Sequence, residues 1–422
     1  MRNSFLYPLM FTLSALDLSG TGAFYFSLHE LQKSYLLTDF QLNLLIFPPS
    51  IITIIFITQN LRLNDRFGRK TFLNVSLGIY ALGCLIGVLC KDYASLLTAR
   101  YAMAVGAAAF VTTARSLVYE MEGQSNRMRG IKYYASGLAV GMALGPYIAS
   151  NLSAAHVFQG AFEALGMTSL VCIALNSASK SALLDRSSKL GHHYQSFSSA
   201  AIMLSPAISL LGLMTIVPIS HDFSNSKHLI LSFSAAWVIC TIVVFGVKTD
   251  ADSFSIKALW KHSRHYRRGI AAFSTCFLII GFNSFYIFNV FKEAEGFSWE
   301  KLGYAYSLGF IASLVAWLFM YHLLPKAKTS KPFWVSGIFL LCGYLWILYR
   351  ITHNQASTET VTLAVALLGG GTMFVLASTS MLTFSEMQED RHRFGHAFQI
   401  KSILGHVFTL IGVLASQIVF LH

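Results

Sequence analysis

Charged side chains are scarce in this chain: Asp, Glu, Lys and Arg make up 12% of its 422 residues, about half their share in a soluble domain. Apolar residues reach 55%, more than one soluble core of this length can enclose. Together the two figures exclude an ordinary water-soluble protein and leave a bilayer as the solvent. CxxC spacing is missing as well. The six cysteines, Cys84, Cys90, Cys172, Cys240, Cys276 and Cys342, each lie within or at the end of an apolar stretch. They read as small buried apolar residues, not as a disulfide or metal framework, so no metal or other cofactor is expected. The phosphate-cradling GxxxxGK[ST] pattern is absent, which argues against direct drive by ATP. The apolar stretches hold isolated ionisable residues and no cluster of nucleophile, base or metal ligands, which argues against an intramembrane enzyme. His262-x-x-His265 lies in a basic loop and reads as a solvated pair.

Long apolar runs dominate what remains. A helix needs about 20 apolar residues to cross the hydrocarbon of a bilayer. Thirteen stretches qualify: 5–28, 40–61, 71–90, 94–118, 131–153, 157–178, 198–219, 228–247, 268–291, 302–324, 333–352, 361–384 and 397–421. The first is too long for a cleaved signal, carries Asp17 and lacks an A-x-A-like site. The expected fold class is therefore an all-α membrane bundle of about 13 transmembrane helices.

A net charge of +12 taken alone suggests nucleic acid. The placement of the charges removes that need. With the N-terminus in the cytoplasm and sides alternating, the cytoplasmic segments and adjoining span ends hold 23 of the 31 Lys and Arg; the outer segments hold six, and Arg100 and Arg115 lie inside the fourth stretch. Such asymmetry is the positive-inside signature of a multi-pass protein, here of the plasma membrane, or of the inner membrane in a bacterium. Long inner connections after the sixth and eighth stretches divide the chain into a six-helix bundle (1–180), a two-helix insert (181–250) and a C-terminal bundle (251–422) in which five spans follow the insert, one helix short of the even count that would return the C-terminus to the cytoplasm.

Three local patterns carry chemistry. The first is Leu63-Asn64-Asp65-Arg66-Phe67-Gly68-Arg69-Lys70, between the second and third stretches. Gly68 permits a tight turn, Asp65 can face the positive end of a helix, and Arg66 and Arg69 can bind carboxylates or helix C-termini across the bundle. Leu97-x-x-Arg100 followed by Gly106-Ala107-Ala108 places a cation inside the fourth stretch. In the fifth, Gly137, Gly141 and Gly145 recur every four residues before Pro146. Small residues at that spacing form a groove for a close neighbouring helix, and the proline removes a backbone bond and allows a bend. The three patterns resemble the signature loop, the fourth-helix motif and the antiporter motif of the major facilitator superfamily.

Leu16-Asp17 in the first stretch, the eight spans before the ninth, and the run from Phe394 through Gly395, Ala397 and Gly405 to Gly412 resemble the fourteen-helix drug:proton antiporters. The resemblance implies a secondary active transporter working by alternating access, a proton-coupled exporter of drugs or metabolites. Its partners would be a small-molecule substrate, protons and the lipid bilayer, with a periplasmic adaptor in a Gram-negative exporter. The rival readings are a proton-coupled importer of the same fold and, from another class, a membrane-embedded enzyme or a non-transporting sensor.

Ionisable residues deep in a span are costly there and tend to be functional. Asp17 lies near the middle of the first stretch. Burial favours the neutral form of a carboxylate, which suits proton uptake and release, and the ionised form can attract a cationic substrate. By the same resemblance Arg100 tunes proton binding, with a structural Asp17–Arg100 pair as the alternative. Glu163 lies in the outer third of the sixth stretch and is a further proton-coupling candidate. Arg115 lies nearer the cytoplasmic end, where it can snorkel or pair with Glu120 or Glu122. In the ninth stretch Asn283, Tyr286 and Asn289, with Phe285, form a candidate substrate half-site. The charge asymmetry places position 64 inside and position 298 outside. Single cysteines at Asn64 and Ser298, in a background free of native cysteines, should therefore react differently with an impermeant thiol reagent on intact cells. Position 298 should label; labelling of position 64 instead would invert the topology.

Overall fold

A helix that faces a water-filled cleft can carry polar groups that a lipid-facing helix cannot, and this sorts the helices of the bundle. The computed structural model describes residues 5–152, 158–185, 263–295, 297–327, 329–353, 357–384 and 391–421. The expected two-helix insert, with both its apolar stretches, lies outside the described residues apart from 181–185. The helices before it are α1 (Leu6–Ser34), α2 (Asp39–Phe67), α3 (Arg69–Val88), α4 (Tyr93–Ala107), α5 (Phe110–Glu120), α6 (Gln124–Asn151), α7 (Gln159–Ala178) and the short α8 (Ala182–Asp185). After it come α9 (Arg264–Glu295), α10 (Trp299–Leu323), α11 (Lys331–His353), α12 (Thr358–Thr383) and α13 (Arg391–Leu421). All regular structure among the described residues is helical.

Eight described stretches are long and apolar enough to cross a membrane: α3, α4 with α5, α7, and the apolar parts of α9 to α13. α1 and α6 are not among them, although at 29 and 28 residues each is long enough, at roughly 1.5 Å per residue, to span a bilayer. Their polar residues, among them Ser14, Asp17 and Ser19 on α1 and Arg127 and Lys132 on α6, mark them as inner helices.

α1 packs along α6, and in the second half α9 packs along α13 in the same way. The halves meet along two seams, α6 on α10 and α2 on α13. Hydrogen bonds pin both. On the first, the Trp317 indole donates to Ser136 Oγ at 3.2 Å and that of Trp299 to the Ala149 carbonyl at 3.4 Å. On the second, Gln399 donates to the Ile57 carbonyl and Gln417 to Asn43 Oδ1, both at 3.1 Å. Buried donors directed in this way fix register as well as contact.

The fourth span is broken. α4 stops at Ala107 and α5 starts at Phe110. Asn60 of α2 donates 2.7 Å to the freed Ala108 carbonyl, and the Thr112 hydroxyl also bonds that carbonyl at 3.0 Å. Irregular backbone at membrane depth needs such partners. At the other end of α4, Asp92 accepts from the Ser95 amide at 2.7 Å. That bond and a second from the Ser95 hydroxyl hold the Asp92 carboxyl below the usual range.

The glycine groove of α6 faces α1. A methyl group on Gly141 would stand 2.6 Å from the Ala15 carbonyl oxygen, one on Gly145 would stand 2.8 Å from the Ala23 amide nitrogen, and one on Gly137 would strike the Phe11 carbonyl. These neighbours are backbone and cannot swing aside. Overpacking a well-filled site costs about 1–3 kcal/mol, and here the whole helix must move. Gly141→Leu should lower the melting temperature in detergent and abolish transport, whereas Leu138→Ala, three positions earlier, should do neither to the same degree. Wild-type melting and transport in Gly141→Leu would refute the α1–α6 packing.

Candidate functional site

Between the two halves lies a cavity of about 810 Å³, within the size range of small-molecule sites. Its walls come from α1, α2, α3, α4, α5, α6, α9, α10, α12 and α13. At one end the lining residues are exposed, among them Gly123, Gln124 and Pro325. That end carries the Gly68 turn and is the mouth. At the other end Tyr25, Phe26 and Tyr306 are buried. Phe26 packs on Trp299 with ring centroids 4.4 Å apart and on Tyr306 at 5.6 Å. This aromatic stack joins α1 to α10 and closes the floor.

Asp17 is the one carboxylate among the described lining residues, against the cations Arg100, Arg115, Arg127 and Lys401 and the imidazole of His406. The cation whose field reaches Asp17 is Arg115; the phenols of Tyr80 and Tyr134 also face it. The expected alternative pairing with Arg100 is not formed. Arg100 stacks its guanidinium 3.5 Å above the Phe24 ring, flanked by Tyr25, Tyr80 and Cys84, and its Nε has no hydrogen-bond partner. Arg115 does not pair with Glu120 as the sequence suggested, because Glu120 is taken by Arg69. Its guanidinium lies 3.8 Å from the Phe398 ring centroid and 5.1 Å from that of Tyr134, cation–π distances that desolvation makes effective.

Glu163 is not brought to the cavity. It is exposed on α7, which packs outside α3 and α1, and it lies within two turns of the start of that helix at Gln159. Asn283 does line the cavity, buried, with its Oδ1 accepting from the Tyr344 hydroxyl at 3.0 Å. Tyr286 stacks on Phe282 at 5.0 Å and is not a lining residue. The Asn289 side chain lies outside the described residues. Sequence reasoning missed Lys401 and His406. Lys401 lies about one turn into the apolar part of α13, which starts at Ala397, and its side chain lines the cavity. A lysine and a histidine in one apolar stretch were the signal available.

The loop motif acts at the mouth. Gly68 ends α2 and begins α3 at φ +79°, a left-handed value that favours glycine. Arg69 makes a bidentate bridge to Glu120 at the end of α5, with Nη2–Oε1 2.7 Å and Nη1–Oε2 3.1 Å. Its Nη1 also donates to the Leu183 carbonyl in α8 at 3.0 Å. Lys70 donates 3.0 Å to the Ser179 carbonyl just past α7. The motif thus clamps α3, α5, α7 and α8 together. Arg66 is exposed and lies over the adjacent Phe67 ring at 5.5 Å; the Asp65 side chain lies outside the described residues. Pro146 lines the cavity beside the Gly145–Gly22 contact.

A polytopic helical bundle with two halves around a cleft, a charged clamp at its mouth and polar groups facing inward defines a membrane transporter. The Major Facilitator Superfamily family model matches residues 10–413, and the chain belongs to that superfamily, a transporter and not an enzyme. The fold is similar to that of an auto-inhibited POT family peptide transporter (TM-score 0.63, 16% identity, 99% of this chain and 89% of that chain). It is also similar to the human organic anion transporter MFSD10 (TETRAN) (TM-score 0.66, 14% identity, 98% of this chain and 93% of that chain). At these identities the likeness is one of fold. No curated protein matches the sequence.

The clamp generates a prediction. Hydrogen bonds to charged groups contribute about 1.5–3 kcal/mol each when their partner is left unsatisfied. Glu120→Gln and Arg69→Lys should each lower the melting temperature and slow solute exchange at normal membrane abundance, with substrate affinity little changed. The double variant should be no worse than the poorer single one, since both remove one bridge. Fully additive losses would show that the two residues act separately.

Proposed function

We propose that the protein is a proton-coupled secondary transporter of a small amphipathic molecule, working by alternating access in the plasma membrane, with Asp17 as the proton carrier. The observation that carries this reading is the position of Asp17, a carboxylate on the cavity wall within the field of Arg115. When the mouth is open, water reaches the cavity and favours the ionised carboxylate; when the halves close over it, desolvation favours the protonated one. A group whose charge state follows the opening of the cavity can load a proton on one side and release it on the other. With the basic segments cytoplasmic, the mouth seen here faces the cytoplasm, and rocking of the halves about the α6–α10 and α2–α13 seams would expose the cavity to the other side.

Two directions fit this scheme. Export by antiport is supported by the likeness of the Gly137–Pro146 segment to the antiporter motif, and would allow an adaptor on the outer side in a Gram-negative cell. Import by symport is supported by the excess of cations lining the cavity, since an anion there and a proton on Asp17 favour each other. A chemically broad panel of solutes in inverted vesicles under an imposed pH gradient separates the two by the sign of the flux.

Asp17→Asn fixes the neutral form. In proteoliposomes with a pH-sensitive dye it should bring substrate-induced proton movement to background while leaving downhill solute flux, and Asp17→Glu should keep part of the coupling with a shifted pH profile. Full proton movement in folded Asp17→Asn protein would remove Asp17 from the mechanism.

A further inference from the structure

Arg115 on α5 and Lys401 on α13 belong to opposite halves of the molecule, yet both lie against one aromatic ring. The Arg115 guanidinium is 3.8 Å from the centroid of Phe398 and the Lys401 ammonium 5.6 Å from it. Lys401 lies still closer to Phe273, at 3.5 Å. Aromatic faces stabilise cations, but they do not neutralise them. Lys401 is only 6% exposed. No carboxylate stands within ion-pair reach of either cation among the described residues, where the one ion pair is Arg69–Glu120 at the mouth. Two like charges held near each other in a low-dielectric wall are unfavourable, and a counter-ion that joins them relieves the repulsion and keeps the lysine charged. Both side chains line the cavity, so the counter-ion can come from there.

We infer that the cavity takes organic anions, with the acidic head of the substrate held between Arg115 and Lys401 and its apolar body against Phe273 and Phe277. The inference rests on the transporter reading above and names its substrate class. Asp17 can supply the missing charge only from one side. The groups that face it are Arg115 from α5, Tyr134 from α6 and Tyr80 from α3. Ionised, Asp17 competes with an incoming anion for Arg115; protonated, it releases Arg115 to the anion. Anion and proton therefore bind together. A cationic substrate, which Asp17 alone would attract, meets Arg115 and Lys401 as like charges, which a specific site avoids.

The test uses purified full-length protein and two matched ligand triplets, one on naphthalene and one on pyrene, each comprising a carboxylate, the corresponding alcohol and the methylammonium. Affinity is measured by calorimetry. The carboxylate should bind more tightly than the alcohol by roughly tenfold or more, as a charge-assisted contact implies, and the ammonium should bind most weakly. Lys401→Gln and Arg115→Gln should each erase the carboxylate preference without weakening the alcohol, and Lys401→Arg should retain it. Carboxylate affinity should fall as pH rises in the native protein and stay flat in Asp17→Asn. Should the Gln variants fail to fold, the triplet ranking and the pH profile of the native protein decide alone. A carboxylate no tighter than its alcohol in both triplets, or a preference that survives both Gln variants, overturns the anion site. Flux of neutral or cationic solutes in proteoliposomes with no anion preference would overturn the substrate class and leave the transporter reading standing. Anion binding with no flux of any solute would do the reverse.

Discussion

The backbone contact between α1 and α6 is the constraint on which the site depends. At Gly141 and Gly145 the helices approach so closely that a methyl group would meet backbone atoms of Ala15 and Ala23. Asp17 lies on α1 between these two contacts. The glycines set how far Asp17 stands from α6, and through Tyr134 they set how α6 faces both Asp17 and Arg115. Inside a bilayer there is no hydrophobic gain from pressing one apolar helix on another, so close packing of small residues does that work. A carboxylate on a loosely held helix would find solvent or a chance partner; this one has a defined set of neighbours.

The loop motif reaches the same site from the other end. Glu120, held bidentately by Arg69, closes α5, the helix that carries Arg115. The break at Ala108 and Ala109 begins that helix, and Asn60 holds the break. α5 is thus a short rod fastened at both ends, by a neutral amide on the cavity side and by a charge pair at the mouth. The remaining contacts of Arg69 and Lys70, to the Leu183 and Ser179 carbonyls, tie that rod to α7 and α8. A change in the clamp therefore reaches Arg115 through rigid helix rather than through a chain of mobile side chains.

The helices were legible in the sequence because each apolar run must satisfy its backbone within itself, and the groove was legible because glycines every four residues share a face. Asp17 was legible because a buried acid is costly and stands out. What could not be read was which face each ionisable residue presents and what meets it there. Glu163 and Arg115 are both isolated charges in apolar runs, yet one lies exposed on an outer helix and the other faces the cavity. The Arg115–Lys401 pairing joins two helices far apart in the chain, and no local period encodes it. Lys401 lies one turn inside an apolar run that starts at Ala397, where a lysine reads equally as a span-end cation or as part of a cavity wall. Of the two loop arginines expected to bind across the bundle, Arg69 bonds Glu120 and the Leu183 carbonyl, whereas Arg66 lies exposed beside Phe67.

The two cations bear on the conformational cycle because they come from different halves. A ligand shifts an equilibrium between conformations only by binding one of them more tightly. A group that touches a single half moves with it and has no such preference. An anion shared by Arg115 and Lys401 touches both, so its binding energy depends on how the halves are set against each other. The α2–α13 seam keeps Lys401 at a fixed depth, pinned by the Gln399 and Gln417 bonds on either side of it. The approach of Arg115 to Lys401 is therefore governed by how α5 stands relative to that seam. On the proposed reading, the empty and deprotonated cavity holds Asp17 against Arg115 within the first half, and the loaded cavity exchanges that contact for one that spans the halves. Proton, anion and conformation are then coupled through a single guanidinium, and the closed state is favoured only when both ligands are aboard.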